Sequence, residues 1–194
     1  MKRSISIILL LLYFSGAAQD TDINILKSIH KGRNQNLDGV FRFSTHSVTP
    51  VSIALPITVL VLGRIQHDSI KRNKGITIGA SILLAAGITT GMKYIVNRPR
   101  PYITYPYIQK LTNERTPSFP SGHTSDAFAT ATSISLAYPE WYVVLPSYLW
   151  AGSVGYSRMH LGVHYPGDVL AGALIGAGTS YVCFKVNRWI QKKY

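Results

Sequence analysis

Three separated stretches of the sequence carry side chains that could act on an anionic group. Lys93 and Arg100 bring cations after one apolar segment, His123 stands at the start of another, and the stretch 157–168 holds an arginine, a histidine and an aspartate. Lysine and arginine bind phosphate oxygens, and two histidines in different surroundings can divide the roles of acid and base. The combination predicts one phosphate site to which all three stretches contribute.

The third stretch carries most of this chemistry. Arg158 offers a planar fork that can hold two oxygens of one phosphate. His164 and Asp168 are four residues apart, so their side chains can meet across one helical turn. The carboxylate would then accept the Nδ1–H of the imidazole and leave Nε2 free as a nucleophile. Packing against an apolar segment could explain the histidine alone, but not its acidic and basic neighbours.

The second stretch reads Pro-Ser-Gly-His over residues 120–123. It predicts a turn into a helix whose free N–H groups form an anion site, with Ser121, Gly122 and His123 beside it. Gly122 lets a ligand oxygen approach the backbone closely. A simple helix cap by Ser121 or Thr124 is an alternative that is compatible with the site.

The first stretch places Lys93 and Arg100 two helical turns apart, although Pro99 and Pro101 must end the helix before it reaches the arginine. A lysine at the end of an apolar helix is explained, taken alone, by its amine reaching the membrane surface. This stretch therefore points to a site only together with the other two.

A metal site is the rival interpretation of the third stretch. His160, His164 and Asp168 recur every four residues and are all possible ligands. A glycine and a proline between them disfavour one unbroken helix, and the nearby cations would repel a divalent ion. Asp126 is interpreted as a favourable acid in the first turn of its helix. The sequence thus favours a phosphate site without metal.

Composition restricts the class of protein further. The chain has 194 residues, a formal net charge of +12, 46% hydrophobic and 14% charged residues. A basic balance fits nucleic acid, anionic lipid or an anionic substrate, and no nucleic-acid motif is present, so we expect no nucleic-acid partner. The one cysteine, Cys183, excludes an intrachain disulfide.

The N-terminus is typical of an exported or membrane protein. Residues 1–18 combine a basic start, an apolar run and small residues, the layout of a secretory signal peptide or, if uncleaved, of a signal anchor. Residues 19–194 are predicted to form a single domain. The spacing over residues 22–46 suits either a surface or interfacial helix or a helix packed on the domain.

Long apolar segments predict an all-α fold, a helical bundle embedded in the membrane with about five transmembrane helices. Several segments are shorter than the roughly 20 residues that a membrane helix needs, which leaves a soluble exported bundle open. Glycines four apart, in the pairs 75/79, 87/91 and 172/176, could let helices approach closely. The five segments are 47–63, 75–92, 124–138, 141–156 and 169–184.

Charge distribution predicts the orientation of such a bundle. The basic loop 64–74 and the basic tail after residue 184 are expected in the cytoplasm. Five alternating spans then bring all three polar stretches to the exported face, which for a bacterial inner-membrane protein is the periplasmic side. A joint site requires this coincidence.

Taken together, the three stretches resemble the motifs of the type 2 phosphatidic acid phosphatase superfamily, which is shared with vanadium-dependent haloperoxidases. The motifs are Lys, six residues, Arg-Pro; Pro-Ser-Gly-His; and Ser-Arg, five residues, His, three residues, Asp. The matching residues are Lys93, Arg100, Pro101, 120–123, Ser157, Arg158, His164 and Asp168.

The resemblance implies a role for each matching residue. His164 would attack phosphorus and form a phosphohistidine, His123 would protonate the leaving oxygen, and Asp168 would orient His164. No metal and no cofactor is implied. The groups implied to hold the phosphoryl oxygens are Lys93, Arg100, Ser121, Gly122 and Arg158.

The sequence therefore predicts a multi-pass membrane phosphatase that acts on a phosphorylated lipid. The substrates expected are undecaprenyl diphosphate, phosphatidylglycerol phosphate, phosphatidate or lipid A. A soluble periplasmic acid phosphatase, a vanadate-dependent haloperoxidase and a lipid-binding protein without turnover are the alternatives. Binding alone would not require the pairing of His164 with Asp168.

Overall fold

The computed structural model describes residues 20–193, and all regular secondary structure in that range is helical. The predicted all-α class is therefore confirmed. Residues 20–31 are helical and are called α1, and a short 3₁₀ turn covers Gln35–Leu37. The other helices are α2 (Asp38–His46), α3 (Val48–Ile65), α4 (Ser69–Val96), α5 (Pro101–Thr104), α6 (Gly122–Ala137), α7 (Trp141–His160) and α8 (Pro166–Lys193).

The prediction of one helix over residues 22–46 is wrong. The chain turns at Gly32, and the side chain of Asn34 accepts a hydrogen bond from the N–H of Asn36, which caps the 3₁₀ turn instead of letting α1 continue. Asparagine favours such a cap over a helix interior because its side chain competes for backbone N–H groups. The predicted signal peptide, residues 1–18, lies outside the described residues.

The bends around α4 place the first stretch of the site. Asp68 caps the start of α4 by accepting the N–H of Lys71, and Asn97 ends it in the left-handed conformation, with φ of 48°. Arg100 is extended, and Pro101 then opens the short α5, where its missing N–H costs nothing. Lys93 therefore stays in the last turn of α4 while Arg100 leaves the helix axis, as the prolines predicted.

Helix α6 lies at the centre of the bundle and packs against α4, α7 and α8. Its alanine, serine and threonine residues leave room for a close approach by α8. A Cβ added at Gly176 would lie 2.2 Å from the carbonyl oxygen of Ser125, so only glycine fits there. Gly172 is equally close to α6, and Gly75 to α3, whereas Gly87 and Gly91 face open space. Of the predicted glycine pairs, 172/176 therefore lies at a close helix contact, 75/79 does so at Gly75, and 87/91 does not.

The half of the bundle around the end of α6 contains a buried apolar cluster, whose residues come from α3, α4, α6 and α8. Three helical segments in the described range are long and apolar enough to cross a membrane: Gln35–Ile65, Ser69–Thr104 and Pro166–Lys192. The predicted number of five spans is not established by these lengths. The buried cluster consists of Val59, Ile78, Ile82, Ala85, Ala129, Ile134, Ala137 and Phe184.

Helix α1 closes the other end of the bundle. Its buried Ile23 and Leu26 pack on Ile108 and Tyr165, which belong to the loops after α5 and after α7. This contact joins α1 to the segment between α5 and α6 and to the loop that carries the third polar stretch.

Candidate active site

The three polar stretches meet around one cavity of about 230 Å³. Lys93 and Arg100 line it from the end of α4, His123 from the start of α6, and His164 from the loop between α7 and α8. Stretches that are some seventy residues apart in sequence therefore lie at the same end of the bundle. This is the arrangement that a joint site requires.

His164 has the geometry of a neutral imidazole whose Nε2 is unprotonated. The ring is 1% exposed, and its Nδ1 lies 3.4 Å from Oδ2 of Asp168. Nε2 lies 3.3 Å from Nη1 of Arg100, and because a guanidinium can only donate, Nε2 accepts and the proton sits on Nδ1. Complete burial lowers the pKa of His164 to about 3, against the opposing effect of the Asp168 carboxylate. At neutral pH Nε2 therefore carries no proton, and an incoming phosphorus atom would replace Arg100 at its lone pair.

Asp168 is fixed in the first turn of α8 and is fully buried. Its Oδ2 accepts hydrogen bonds from the Ser118 hydroxyl and from the N–H of Tyr165, the latter at 3.0 Å. Its backbone carbonyl accepts the N–H of Ser121 at 3.0 Å. The carboxylate is thus held facing His164, and its own backbone joins the second stretch to the third.

Backbone carbonyls of the loop before α6 and of the loop between α7 and α8 hold the two cations of the first stretch. Arg100 donates from Nε to the carbonyl of Thr116 at 2.7 Å and from Nη1 to that of Val163 at 3.0 Å. Lys93 donates to the carbonyl of Pro117 at 2.6 Å. The positive groups are therefore oriented before any ligand arrives, which lowers the cost of binding an anion.

Arg158 lies behind the cavity wall rather than in it. It is fully buried, its Nη1 donates to the Thr45 hydroxyl, and its Nη2 donates to Glu114. Its Nε is buried and makes no hydrogen bond within the described chain. A buried donor without a partner is costly, which is consistent with a group held ready for an anion.

Glu114 bridges two of the arginines predicted to bind phosphate. One carboxylate oxygen accepts from Nη2 of Arg100 at 3.3 Å, and the other accepts from Arg158. Burial alone would raise the pKa of Glu114, but the charges of Arg158 and Arg100 outweigh it and hold the pKa below its ordinary value. Glu114 is therefore an anion that lines the cavity, and its two oxygens contact the two guanidinium groups as two phosphoryl oxygens would.

The start of α6 presents His123 and Gly122 to the cavity but not Ser121. The His123 ring makes no hydrogen bond to another described residue, so it is free to serve a ligand. The Ser121 hydroxyl is fully buried, lies 2.8 Å from the Thr124 hydroxyl and accepts the Thr124 N–H at 3.4 Å. Ser121 is thus the helix cap that the sequence allowed as an alternative.

Two sequence interpretations need correction. Asp126 lies beyond the first turn of α6 and lines the cavity, and its buried Oδ1 has no hydrogen-bond partner in the described residues. His160, taken above as a possible metal ligand, points away from His164 to Oδ1 of Asp38 at 2.7 Å. The helix ends at His160, so the assumed period of four does not continue.

Sequence reasoning also missed Glu114, Thr116 and Ser118. All three lie in residues 105–119, between α5 and the second motif, where the sequence carries no motif and the chain has no regular secondary structure. The one available indication was an acid within a basic loop, and acids in such a position often pair with the cations around them.

Sequence comparison decides the family. The PAP2 superfamily profile matches residues 74–192, more than half of the chain and all three polar stretches. The chain belongs to the PAP2 superfamily. An undecaprenyl-diphosphatase of Sulfolobus acidocaldarius is 29% identical over 172 residues, which cover 86% of this chain and 78% of the relative.

Two solved structures resemble this PAP2 protein. LpxE of Aquifex aeolicus superposes with a TM-score of 0.73 at 28% identity, covering 85% of this chain and 95% of the other. A transmembrane PAP2-type phosphatidylglycerolphosphate phosphatase of Bacillus subtilis superposes with a TM-score of 0.78 at 22% identity, covering 98% of both chains. The second likeness shows a shared fold. With these relatives and its apolar helices, the PAP2 protein described here is an integral membrane hydrolase of phosphoric esters.

Proposed function

We propose that this PAP2 protein hydrolyses a phosphate monoester or diphosphate of a membrane lipid through a phosphohistidine on His164. The observation that carries the proposal is the single cavity that His123 and His164 share with Lys93 and Arg100. The cavity lies at one end of helices long enough to cross a membrane. A lipid held in the bilayer can therefore present its head group to it.

In the first step the lone pair of His164 Nε2 attacks phosphorus. The bond from phosphorus to the lipid oxygen breaks, and that oxygen takes a proton from His123. Asp168 stabilises the positive charge that develops on the His164 ring by accepting its Nδ1–H, as the 3.4 Å approach allows.

In the second step a water molecule attacks the phosphohistidine. His123, now neutral, takes a proton from this water, the bond between nitrogen and phosphorus breaks, and inorganic phosphate leaves. His164 returns to its neutral form. Burial lowers the pKa of His123 to about 4, so His123 returns to its protonated form when the next phosphate dianion binds beside it and offsets that effect. All atoms and charges are then restored for the next turnover.

Cations stabilise the charge that builds on the equatorial oxygens of the transferring group. Lys93, Arg100 and Arg158 supply three positive charges, and the N–H at Gly122 supplies a further donor at the helix start. The phosphoryl group would replace the Glu114 carboxylate on Arg100 and Arg158. The fully buried Ser121 supports this arrangement as a cap rather than as a ligand.

The substrate candidates are undecaprenyl diphosphate, phosphatidylglycerol phosphate, phosphatidate and lipid A. The names of similar proteins support undecaprenyl diphosphate and lipid A, since one relative is an undecaprenyl-diphosphatase and others are lipid A phosphatases. No specific observation favours a haloperoxidase or a soluble acid phosphatase.

The cavity is proposed to face the periplasm from the inner membrane of a bacterium. The basic residues of the predicted loop 64–74, which lie at the end of α3 and the start of α4, and the basic end of α8 are at the opposite end of the bundle, as expected for the cytoplasmic side. After replacement of Cys183 by serine, a cysteine at Lys110 should react in intact cells with a membrane-impermeant maleimide. Labelling of a cysteine at Gln66 instead would reverse the proposed orientation.

Phosphate release from the four lipids, measured with purified wild type and His164→Asn, tests the function. We expect wild type to release phosphate from at least one lipid and His164→Asn to lose activity by on the order of 10⁴-fold or more. Wild-type enzyme should also retain acid-labile phosphate on His164 after quenching in base. Equal release by the two proteins would refute the mechanism.

A further inference from the structure

The oxygen of Asp168 that faces away from His164 is also occupied. Oδ2 faces the histidine, while Oδ1 accepts a hydrogen bond from Nη1 of Arg98 at 2.7 Å. Because both oxygens are bound, rotation of the carboxylate would break contacts on each side. Arg98 belongs to none of the motifs considered above and does not line the cavity.

Arg98 is itself held from two directions. Its Nη2 donates to Oδ2 of Asp22 at 2.9 Å, and its guanidinium lies 3.9 Å from the centre of the Tyr165 ring. A planar guanidinium that bridges two carboxylates and stacks on an aromatic face has little freedom to move. The position of Arg98 is therefore fixed independently of Asp168.

Asp22 also binds the backbone next to Asp168. Its Oδ1 accepts the N–H of Gly167 at 2.7 Å. A Cβ at Gly167 would lie 2.8 Å from the Asp22 carboxylate, so a larger residue would push the two apart. The buried Ile23 and Leu26 anchor this end of α1 on Tyr165. One turn of the N-terminal helix thus contacts the support of the proposed nucleophile.

The charge of Arg98 gives a second reason why Asp22 is paired with it. An arginine alone beside Asp168 would draw its negative charge away from His164 and weaken the stabilisation of a positive imidazole. The carboxylate of Asp22 offsets that positive charge, and the three groups together carry a net charge of −1. Arg98 can then orient Asp168 without neutralising it.

We propose that Arg98 and Asp22 are a positioning pair, which fixes the Asp168 carboxylate and through it the orientation of His164. This inference rests on the proposed role of His164 as nucleophile. Neither residue touches the substrate, so the pair should act on kcat and not on binding. The N-terminal helix is on this account a part of the catalytic apparatus, although it precedes the region matched by the family profile.

The test measures hydrolysis of p-nitrophenyl phosphate by the full-length protein in detergent. Arg98→Gln should lower kcat by roughly 10–100-fold, the cost of a small misplacement of reacting groups. KM and the inhibition constant of vanadate should change less than threefold. Arg98→Lys, which keeps the charge and one of the two bridges, should recover part of the loss. Asp22→Asn should reduce kcat less than Arg98→Gln.

The matched controls are Arg115→Gln and Asp20→Asn. Arg115 is exposed in the segment before α6, and Asp20 is exposed on α1, the helix that carries Asp22. Each control therefore removes the same charge as the matching test variant without breaking the pair. Their kcat should equal that of wild type. If kcat falls as far in Arg115→Gln as in Arg98→Gln, the effect is caused by the change in net charge, and the proposal is wrong.

A double substitution separates positioning from direct contact. In an Asp168→Asn background, Arg98→Gln should have little further effect on residual kcat, because the group through which it acts is already gone. A full additional loss, or a rise in KM of tenfold or more, would show that Arg98 acts on the substrate itself. Near-ultraviolet circular dichroism of each variant verifies that it is folded.

His164→Asn is measured beside these variants. If it is inactive while Arg98→Gln behaves as wild type, the positioning pair is wrong and the proposed function stands. If His164→Asn is active, the proposed role of His164 as nucleophile is wrong, and so is the positioning pair that depends on it.

Discussion

The two halves of helix α6 differ in what they bury. At its start, the helix meets Arg100, Arg158 and Asp168, each no more than 2% exposed. At its end it meets Ile78 and Phe184 in an apolar cluster. In a membrane the apolar half is stabilised by close van der Waals packing between helices, because lipid chains are as apolar as these side chains. Every buried charge in the polar half instead needs a partner to offset its desolvation.

The comparison teaches where stability and activity reside. In the polar half, Glu114 and Asp168 balance the arginines around them, yet Asp126 and the Nε of Arg158 keep buried atoms that make no hydrogen bond to any residue of 20–193. Uncompensated polar groups are tolerated mainly where function needs them. Substitutions there should change catalysis, and substitutions in the apolar half should change stability.

After His164→Asn, the largest effect in the polar half is expected for His123→Asn, with a dependence on the leaving group. We expect kcat to fall by ~10²–10⁴-fold with an alkyl lipid phosphate, because its alkoxide needs a proton to leave. With p-nitrophenyl phosphate the loss should be at least tenfold smaller, since the phenolate leaves unaided.

The control for this prediction is His67→Asn in the exposed turn at the other end of the bundle, where asparagine tolerates the positive φ of 52°. It should leave both rates unchanged. A loss in His123→Asn that is equal for the two substrates would remove His123 from the role of general acid.

Ile78→Ala tests the apolar half. Ile78 is fully buried in the cluster, so we expect the free energy of unfolding to fall by about 2–5 kcal/mol with the kcat of the folded fraction unchanged. Ile76→Ala makes the same change two residues away on the same helix, where the side chain is 54% exposed. Denaturant unfolding in detergent should show a much smaller loss there. Comparable losses of unfolding free energy in Ile78→Ala and Ile76→Ala would mean that packing in this cluster does not determine the stability.

Stability should also fall in mild acid because of His164. The folded chain takes up a proton on this ring only near pH 3, whereas the unfolded chain does so near its ordinary pKa of 6.5. The folded form therefore has its full stability above pH 6.5 and loses it as the pH falls from there toward 3. Between pH 7 and pH 5 the loss is about 2 kcal/mol, or roughly 4–8 °C in Tm.

Thermal unfolding of His164→Asn at the two pH values isolates this contribution. The variant should lose about 2 kcal/mol less than wild type over the same range. If both proteins lose the same stability, another group controls the acid sensitivity.

The sequence predicted the helices and the motif residues because both leave local patterns. Apolar runs marked each long helix, and the spacing of His164 and Asp168 needs only one helical turn. Glu114 and Asp22 could not be predicted in the same way. Their partners lie 44 and 76 residues away, and the contacts depend on how a loop and a terminal helix fold back onto the bundle. The cap at Ser121 was foreseen only as an alternative, since a hydroxyl at a helix start serves a cap and a ligand equally well.

Glu114 offers the smallest and most discriminating test of the polar half. If its carboxylate competes with phosphate for Arg100 and Arg158, then Glu114→Gln should bind inorganic phosphate and vanadate about three- to tenfold more tightly. The amide keeps the shape of the side chain but not its charge. Isothermal titration in detergent measures both ligands, and Glu140→Gln at the far end of α6 makes the same change in net charge and should leave binding unaltered. Weaker binding in Glu114→Gln would reverse the interpretation, because the carboxylate would then be what holds the two arginines in place for the phosphate. Either result decides whether the acid in this otherwise basic cavity is a rival of the substrate or a support for it.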